Sequence, residues 1–428
     1  MTAEVVIFNK SAIALAADSA VSIEGNKSSK IYNNAEKLFA LSKYHPVAIM
    51  IYERNELQGV PWELIIKAFR KKQGDKCYSK LSEYKDAFLD FSRQFYFNLP
   101  RSRVSFWAQE AIREHVYSTL DKVLEMVDVA ENDSLRVIDV FDIAINDFLE
   151  LYMDAPFFEG LDETSLEDAG LEFDQFAYQE LTKCIDTQDF SESEDRDWMN
   201  TCNSFYVLCC ARLLRQDPFH VGSTGLVFAG YGEDEYFPEI CECEVYGAFN
   251  GVVKVIDKTA FDGDGVSAGV KAFAQREEVN TFMEGVSNST KREFVSILKG
   301  VADLYSGEVY QLIDQYVPEE ERHSISAIIE ERCNQRFLEY AEQLTEHTNN
   351  THVNKVVEMI AHLPKNELAY MAESLVNLTA FKRKVSYEMD SVGGPIDVAV
   401  ISKGDGLVWI KRKHYFPTEL NSQYGPSK

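Results

Sequence analysis

Three residues near the start of the chain are of the types that could form a hydroxyl nucleophile, its base and the groups that tune them. Thr2 follows Met1, Asp18 ends an apolar run, and Lys37 directly precedes another. If Met1 is removed, Thr2 carries a hydroxyl and a free α-amine, whose unperturbed pKa of about 7.7–8.0 suits a general base. A lysine ammonium nearby would lower the pKa of that amine, and a carboxylate would hold the lysine in place. Thr2, Lys37 and Asp18 are therefore residues of the right types to form an activated nucleophile and its base.

The elements that must position these residues are strands. Val5–Phe8 and Ala12–Ala17 are apolar runs separated by a short polar turn, which is typical of two paired strands buried on both faces. Thr2 precedes the first run and Asp18 follows the second. Antiparallel pairing at the turn would therefore bring these two residues close together.

A second strand pair and two helices follow. Lys37–Leu41 and Pro46–Tyr52 predict the strands, and the polar segment Ser22–Asn34 before them is interpreted as a loop. Pro61 stands where the first turn of a helix tolerates proline, and apolar residues follow it at helical spacing. Tyr84–Phe97 has aromatic residues on one helical face and predicts the second helix.

The middle of the chain changes from helical to strand character. Residues 100–218 have an aromatic-rich helical pattern, and the many acids of 131–197 are interpreted as a solvated face, with a metal or cationic partner as the weaker alternative. Asp186–Asp197 is predicted to be a loop. Strand patterns separated by Gly, Asp and Asn turns then return at Thr224–Ala229, Ile240–Tyr246 and Gly251–Ile256.

The last third is predicted to be helical, with a strand pair at its end. Helices are expected over Val266–Gly285, over Lys291–Leu363 with Pro318 near the start of its long central helix, and over Asn366–Phe381. A terminal hairpin is expected from Pro395–Ser402 and Leu407–Lys411. An order of strands, helices, strands, helices and strands suits two packed sheets with helical layers outside them.

The N-terminal stretch resembles the β-type subunits of the proteasome and their bacterial relatives, which are N-terminal nucleophile (Ntn) hydrolases. In that family the mature chain starts with Thr, an Asp follows 16 residues later, and a Lys opens the third strand. Thr2 and Asp18 keep this spacing, and the sequence AADS, which ends at Ser19, resembles the family's small-small-Asp-Ser pattern. Lys37 lies three residues late; Lys30 competes for its role, but Lys37 alone is followed directly by an apolar strand. The resemblance implies that Thr2, Asp18 and Lys37 are catalytic and that Ser19 supports them.

Two distant segments resemble further motifs of the same family. Gly263-Asp264-Gly265 resembles a Gly-Ser-Gly turn whose Ser lies beside the nucleophile. Asp264 replaces that Ser, either as a hydrogen-bond partner of the terminal amine or as a helix cap. The segment MDSVGG at 389–394 resembles the family's Asp-x-x-Ser-Gly-Gly, and Asp390 lies one residue from the position of the Asp. Asp264, Gly265 and Asp390 are therefore candidate supporting residues.

The largest departure from the family follows the fourth predicted strand. The family has a Gly there, whose backbone N–H forms the oxyanion hole, and this chain has Glu53 in the sequence IYERN. A backbone N–H survives any side chain except proline, whereas a carboxylate could repel a developing oxyanion. The departure bears on activity and leaves the fold unaffected.

The resemblance implies an α+β fold, a four-layer αββα Ntn-hydrolase sandwich with helical insertions. The two helical blocks have no counterpart that we recognise in the family. We therefore predict a core from 2–99, 222–286 and 366–413, an acidic helical insertion at 100–221, a second helical insertion at 287–365, and a C-terminal tail at 414–428.

Composition limits the remaining classes of function. The chain has 428 residues and a net charge of −27, which disfavours nucleic-acid and anionic-membrane binding. No apolar run approaches the ~20 residues that cross a bilayer, and no signal peptide is recognisable, so we expect a cytoplasmic protein with reduced, mostly buried cysteines. The histidines show no metal-ligand spacing, and we expect no metal or cofactor.

Three functional hypotheses follow. The first is a threonine hydrolase that cleaves peptide or protein substrates. The second is a catalytically inactive proteasome-like subunit used in assembly or binding, and the third is a small-molecule amidase on the same fold. Homo-oligomerisation is implied by the resemblance, whereas the sequence does not indicate whether an unfoldase partner exists.

Overall fold

The computed structural model describes residues 3–25, 28–129, 137–166, 171–186, 196–216, 222–258, 268–386 and 392–414, together with 416 and 421. The chain is a mixed α+β protein with antiparallel sheets. It divides into a first unit (1–38, 236–238 and 262–428) and a second unit (39–235 and 239–261). The division into an Ntn core and two insertions stays a prediction.

The described strands and helices alternate in blocks along the chain. The strands are β1 (Ala3–Asn9), β2 (Ala12–Ala17), β3 (Val21–Gly25), β4 (Ser28–Tyr32), β5 (Leu38–Ala40), β6 (Val47–Glu53), β7 (Glu56–Leu57), β8 (Val60–Pro61), β9 (Thr224–Gly230), β10 (Glu239–Phe249), β11 (Val252–Asp257), β12 (Ala268–Ala274), β13 (Asp397–Ser402) and β14 (Gly406–Lys411). The helices are α1 (Trp62–Gln73), α2 (Leu81–Phe97), α3 (Arg101–Val129), α4 (Val137–Met153), α5 (Leu171–Asp186), α6 (Arg196–Leu214), α7 (Glu277–Glu284), α8 (Asn288–Tyr316), α9 (Glu319–Thr348), α10 (Asn354–Ala361) and α11 (Lys365–Val385). A 3₁₀ turn covers Glu163–Leu166, and a π turn covers Asn349–Val353.

The first unit contains a five-stranded antiparallel sheet in the order β12-β1-β2-β13-β14. Every residue of β1 and β2 is buried, which confirms the strand pair and its burial on both faces. Alternate residues of β2 are the small side chains Ala12, Ala14 and Ala16, and they belong to the same core as Leu368 and Ala372 of α11. Small residues on both elements let α11 lie close across the sheet.

Two predictions in this unit are wrong. Ser22–Asn34 was predicted to be a loop, but β3 and β4 form an antiparallel hairpin there. Val266–Gly285 was predicted to be one helix, but β12 pairs along the whole of β1, and the helix is confined to α7. The edge of β1 needs a hydrogen-bonding partner, which outweighs the local helix propensity of β12. Ala274, with φ of +58°, ends the strand.

The second unit contains the other five-stranded sheet, in the order β11-β10-β9-β6-β5, and its strands confirm those predicted between Lys37 and Ile256. Aromatic side chains of α1 and α2 cover one face. Phe88 contacts Trp62, Phe69 and, on β9, Phe228, with ring centroids 5.3–6.1 Å apart. The indole N–H of Trp62 donates to Thr224 Oγ1 at 3.1 Å, so its one polar atom is satisfied although the ring is fully buried.

Helices α3–α6 form a second core in this unit and confirm the helical pattern predicted for the described parts of 100–218. Phe141, Phe205 and Phe158 fill this core together with Tyr246 and Phe249 of β10. The predicted loop Asp186–Asp197 lies almost entirely outside the described residues.

Two long helices follow in the first unit. α8 and α9 contact each other and are joined only by Val317 and Pro318, so they form an antiparallel helical hairpin. Pro318 stands at the N-cap of α9, as predicted. The terminal hairpin of β13 and β14 is also confirmed. Among the described residues, no helix combines the length and the apolarity that crossing a bilayer requires.

The described cysteines are free thiols, and five of them are buried, as expected. Burial raises the pKa of Cys202, Cys210 and Cys241 to about 12, because the thiolate would lose its hydration. Cys77, by contrast, is exposed. Since the thiolate is the reactive form, burial should make the native protein react unevenly with thiol reagents.

We therefore expect a disulfide-exchange reagent at pH 8 to label Cys77 rapidly and the five buried thiols only after unfolding. A thiol with a pKa of about 12 is ionised to only ~0.01% at that pH. The measurement is the time course of thiol release from native and urea-unfolded protein, with C77S as the control that removes the contribution of Cys77; the partly exposed Cys333 remains in both proteins. Rapid labelling of the buried cysteines in native protein would contradict the packing described here.

Candidate active site

The carboxylate of Asp18 is the centre of a buried polar cluster in the first unit. Asp18 directly follows β2 and is fully buried. Its Oδ1 accepts the backbone N–H of Ala3 at 3.2 Å and a short hydrogen bond from Lys37 Nζ. Its Oδ2 accepts the N–H groups of Ala20 at 3.2 Å and Gly393 at 3.0 Å. Each oxygen therefore has two donors, as a buried carboxylate requires.

The structure brings Lys37, rather than Lys30, to Asp18. Lys37 lies directly before β5 with only 4% of its side chain exposed. Lys30 is an exposed residue of β4, on the hairpin that lengthens the chain between Asp18 and Lys37. The late position of Lys37 thus has a structural cause.

Glu4 is a member of this cluster that the sequence analysis missed. It is fully buried within β1, and its Oε1 lies 3.8 Å from Lys37 Nζ. Two carboxylates therefore flank one ammonium in the interior. The available signal was the charge itself, because Glu4 directly precedes the apolar run Val5–Phe8 and belongs to a strand that is otherwise apolar up to Asn9.

Ser19 connects the cluster to the segment before β13. Its N–H donates to the carbonyl of Gly393 at 3.1 Å, and its hydroxyl donates to the carbonyl of Pro395. Gly394 has φ of +80°, and a Cβ added there would lie 2.8 Å from Cβ of Asn33. Both conditions favour glycine at this position. Asp18 and Ser19 of the sequence AADS are thus in contact with Gly393, which is one of the described residues of MDSVGG.

The remaining candidate residues are placed elsewhere or are not described. Thr2, Asp264, Gly265 and Asp390 lie outside the described residues. Glu53 belongs to the second unit, where it ends β6 and its carboxylate accepts the hydroxyl of Ser223 at 2.8 Å. Its φ of +65° lies in the left-handed region that glycine adopts far more readily than glutamate.

The stability of the cluster depends on keeping its buried charges paired. Removing one partner of a buried ion pair typically costs about 3–5 kcal/mol, because the remaining charge has lost both water and its counter-ion. Lys37 is the only cation in contact with these two carboxylates among the ion pairs that the described residues form.

We therefore expect K37M to lower the free energy of unfolding by about 3–5 kcal/mol, since Asp18 would remain buried without the cation that it binds. K30M is the matched control and should change stability by about 0.5 kcal/mol or less, because its side chain is exposed. Urea unfolding followed by circular dichroism measures both. Equal effects of the two substitutions would show that the ion pair does not hold this part of the fold.

Comparison with known proteins gives no assignment. No protein-family model matches the chain, and no curated protein sequence matches it. The functional interpretation therefore rests on the residues and their geometry: a buried lysine–carboxylate cluster, bonded through Ala3 to the start of β1.

Proposed function

We propose that the chain is an N-terminal threonine hydrolase of the proteasome β-subunit-like Ntn class, which cleaves amide bonds in peptides. One observation carries the proposal: Asp18 binds both Lys37 and the backbone N–H of Ala3, the residue directly after Thr2. The carboxylate that orients the lysine is thus fixed one residue from the proposed nucleophile.

In the proposed reaction Thr2 becomes the first residue when Met1 is removed. Its α-amine takes the proton of the hydroxyl, and Oγ attacks the substrate carbonyl carbon to form a tetrahedral intermediate. The C–N bond then breaks, the amine leaves with that proton, and an ester to Thr2 remains. Water hydrolyses the ester by the reverse sequence of proton transfers. Lys37 favours the neutral amine through its positive charge, and Asp18 holds Lys37 in place.

The arrangement of distant segments supports the family assignment. Asp18 and Ser19 bond Gly393 and Pro395, so two motifs that resemble the family's motifs are in direct contact across 375 residues of sequence. Each unit also has a five-stranded antiparallel sheet with its own helices packed against it. We propose on these grounds the four-layer αββα architecture.

The resemblance implies that a backbone N–H at the end of β6 stabilises the oxyanion. Glu53 has the left-handed backbone conformation that favours glycine, the residue that the family has here. The N–H of the next residue, Arg54, already donates to the carbonyl of Ser223 at 3.2 Å. Of these two neighbours, Glu53 is therefore the candidate backbone donor for the oxyanion.

An inactive proteasome-like subunit is the second candidate function. The specific observation in its favour is the Glu53 carboxylate, which Ser223 holds at the end of β6 and which would repel an oxyanion formed there. This candidate needs neither a free Thr2 amine nor turnover.

We expect intact-mass spectrometry of protein made in cells to show that Met1 has been removed. The purified chain should cleave peptide substrates, T2A should abolish turnover, and T2S should retain it because a hydroxyl and an α-amine remain.

A peptide epoxyketone probe should add its mass to Thr2, whereas a small-molecule amidase would not react with a peptide probe. Retained Met1, or undiminished activity of T2A, excludes the proposed mechanism. A processed but inactive wild-type chain supports the inactive subunit.

The buried Glu4 should make the activity depend on pH in a specific way. Its negative charge stabilises the ammonium form of Thr2 and opposes Lys37, so E4Q should lower the pKa of the α-amine. The base is the neutral amine, and activity therefore rises as pH increases through this pKa.

We accordingly expect the acid limb of kcat/KM against pH to shift to lower pH in E4Q. E36Q is the control, since Glu36 pairs with Arg412 rather than with Lys37. An unshifted limb in active E4Q would show that Glu4 does not act on the amine.

A further inference from the structure

Helix α8 exposes an apolar stripe along its whole length. Its members are 44–74% exposed and recur at intervals of three, four and seven or eight residues, which places them on one face of the helix. They are Phe294, Ile297, Val301, Leu304, Leu312 and Tyr316, with Tyr305 beside Leu304. We call this set the α8 stripe.

The described part of the chain does not cover the α8 stripe. α9 packs against the adjacent face of α8, and Ile313 is the one residue of α8 that is buried. Gly300 and Gly307 also interrupt α8, and an added Cβ at either would have nothing within 4 Å. Each interior glycine costs a helix about 1 kcal/mol relative to alanine. α8 has 29 residues and is about 43 Å long. With one buried residue, it derives little stability from packing against the described residues.

The exposed area of the stripe matches the area that each partner buries in a stable protein–protein interface. Seven large apolar side chains, each roughly half exposed or more, present on the order of 800 Å². The largest apolar patch on a typical monomer is about 300–600 Å², and a standard protein interface buries about 800 Å² on each partner. The stripe is therefore large enough for a stable dimer.

The stripe is also complementary to itself when it is reversed. Phe294 and Tyr316 each lie 11 residues from Tyr305, and Ile297 and Leu312 lie eight and seven residues from it. A second α8 running antiparallel would therefore place Phe294 on Tyr316 and Ile297 on Leu312, around a two-fold axis near Leu304 and Tyr305. Such an interface is isologous, as closed two-fold dimers require.

Glu308 selects the antiparallel arrangement. It lies within the stripe, three residues from Tyr305, and is exposed. Parallel helices would place Glu308 directly against Glu308 of the second copy, and like charges in contact are unfavourable. In the antiparallel arrangement it faces Val301, and the two glutamates lie about 10 Å apart along the axis.

We propose that a second copy of this chain docks on the α8 stripe, so that two helical hairpins form an antiparallel four-helix dimer. This inference does not depend on catalysis by Thr2. Sedimentation equilibrium of the full chain should show a dimer, and L304E should weaken the association at least 100-fold. L338E is the matched control, because Leu338 is equally exposed on α9 but lies outside the stripe. Circular dichroism of both variants checks that they are folded.

Two further variants test the geometry. E308L should strengthen dimerisation, because the desolvated charge opposite Val301 is removed. F294C mixed with Y316C should form a cross-linked heterodimer under oxidation, whereas F294C alone should not, since antiparallel copies of residue 294 lie about 33 Å apart. The double substitution C77S and C333S serves as the background, because Cys77 is exposed and Cys333 is partly exposed.

A wild-type chain that stays monomeric, an unchanged mass for folded L304E, or self-cross-linking of F294C would overturn the proposal. The first outcome would leave the stripe to a different protein, and the third would mean parallel helices.

Discussion

The candidate site depends on the hydrogen bonds that the buried carboxylate of Asp18 accepts. Taking an ionised carboxylate out of water costs several kcal/mol, and this cost is offset only when each oxygen finds donors in good geometry. The four donors come from the start of β1, the residues after β2, the segment before β5 and the segment before β13. One charge therefore fixes four separate pieces of the chain, and any movement of one piece would leave a buried oxygen without its donor.

The sequence predicted those parts of the fold whose signals are local. β1 and β2 are adjacent apolar runs, and the terminal hairpin has its turn residues between two apolar strands. β12 could not be predicted in this way. Its residues are compatible with a helix, and its strand conformation follows from pairing with β1, more than 250 residues away. Local propensity is a weak indicator when a distant strand edge must be paired.

Only some residues of the candidate site could be predicted from the sequence. Asp18 and Lys37 were found from residue type and from the apolar run after Lys37, and the β3–β4 hairpin explains why a lysine so far along the chain reaches Asp18. Glu4 was missed because a single acid beside an apolar run is ordinarily interpreted as exposed. Its burial becomes evident only when β1 is placed between β12 and β2. In α8, likewise, the spacing predicts a helix, but the face left uncovered depends on where α9 packs.

Glu4 adds a second carboxylate to the cluster around Lys37. Among the described residues, Asp18 and Glu4 both lie against the ammonium group of Lys37. In the proposed mechanism, the negative charge of Glu4 would favour the ammonium form of the Thr2 amine, whereas catalysis needs the neutral amine. Lys37 and Glu4 would then act on the same proton in opposite directions. If the chain is a hydrolase, Glu4 stabilises the folded resting site at a cost in the fraction of active base. In an inactive subunit, the same carboxylate would simply help to anchor the first strand to Lys37.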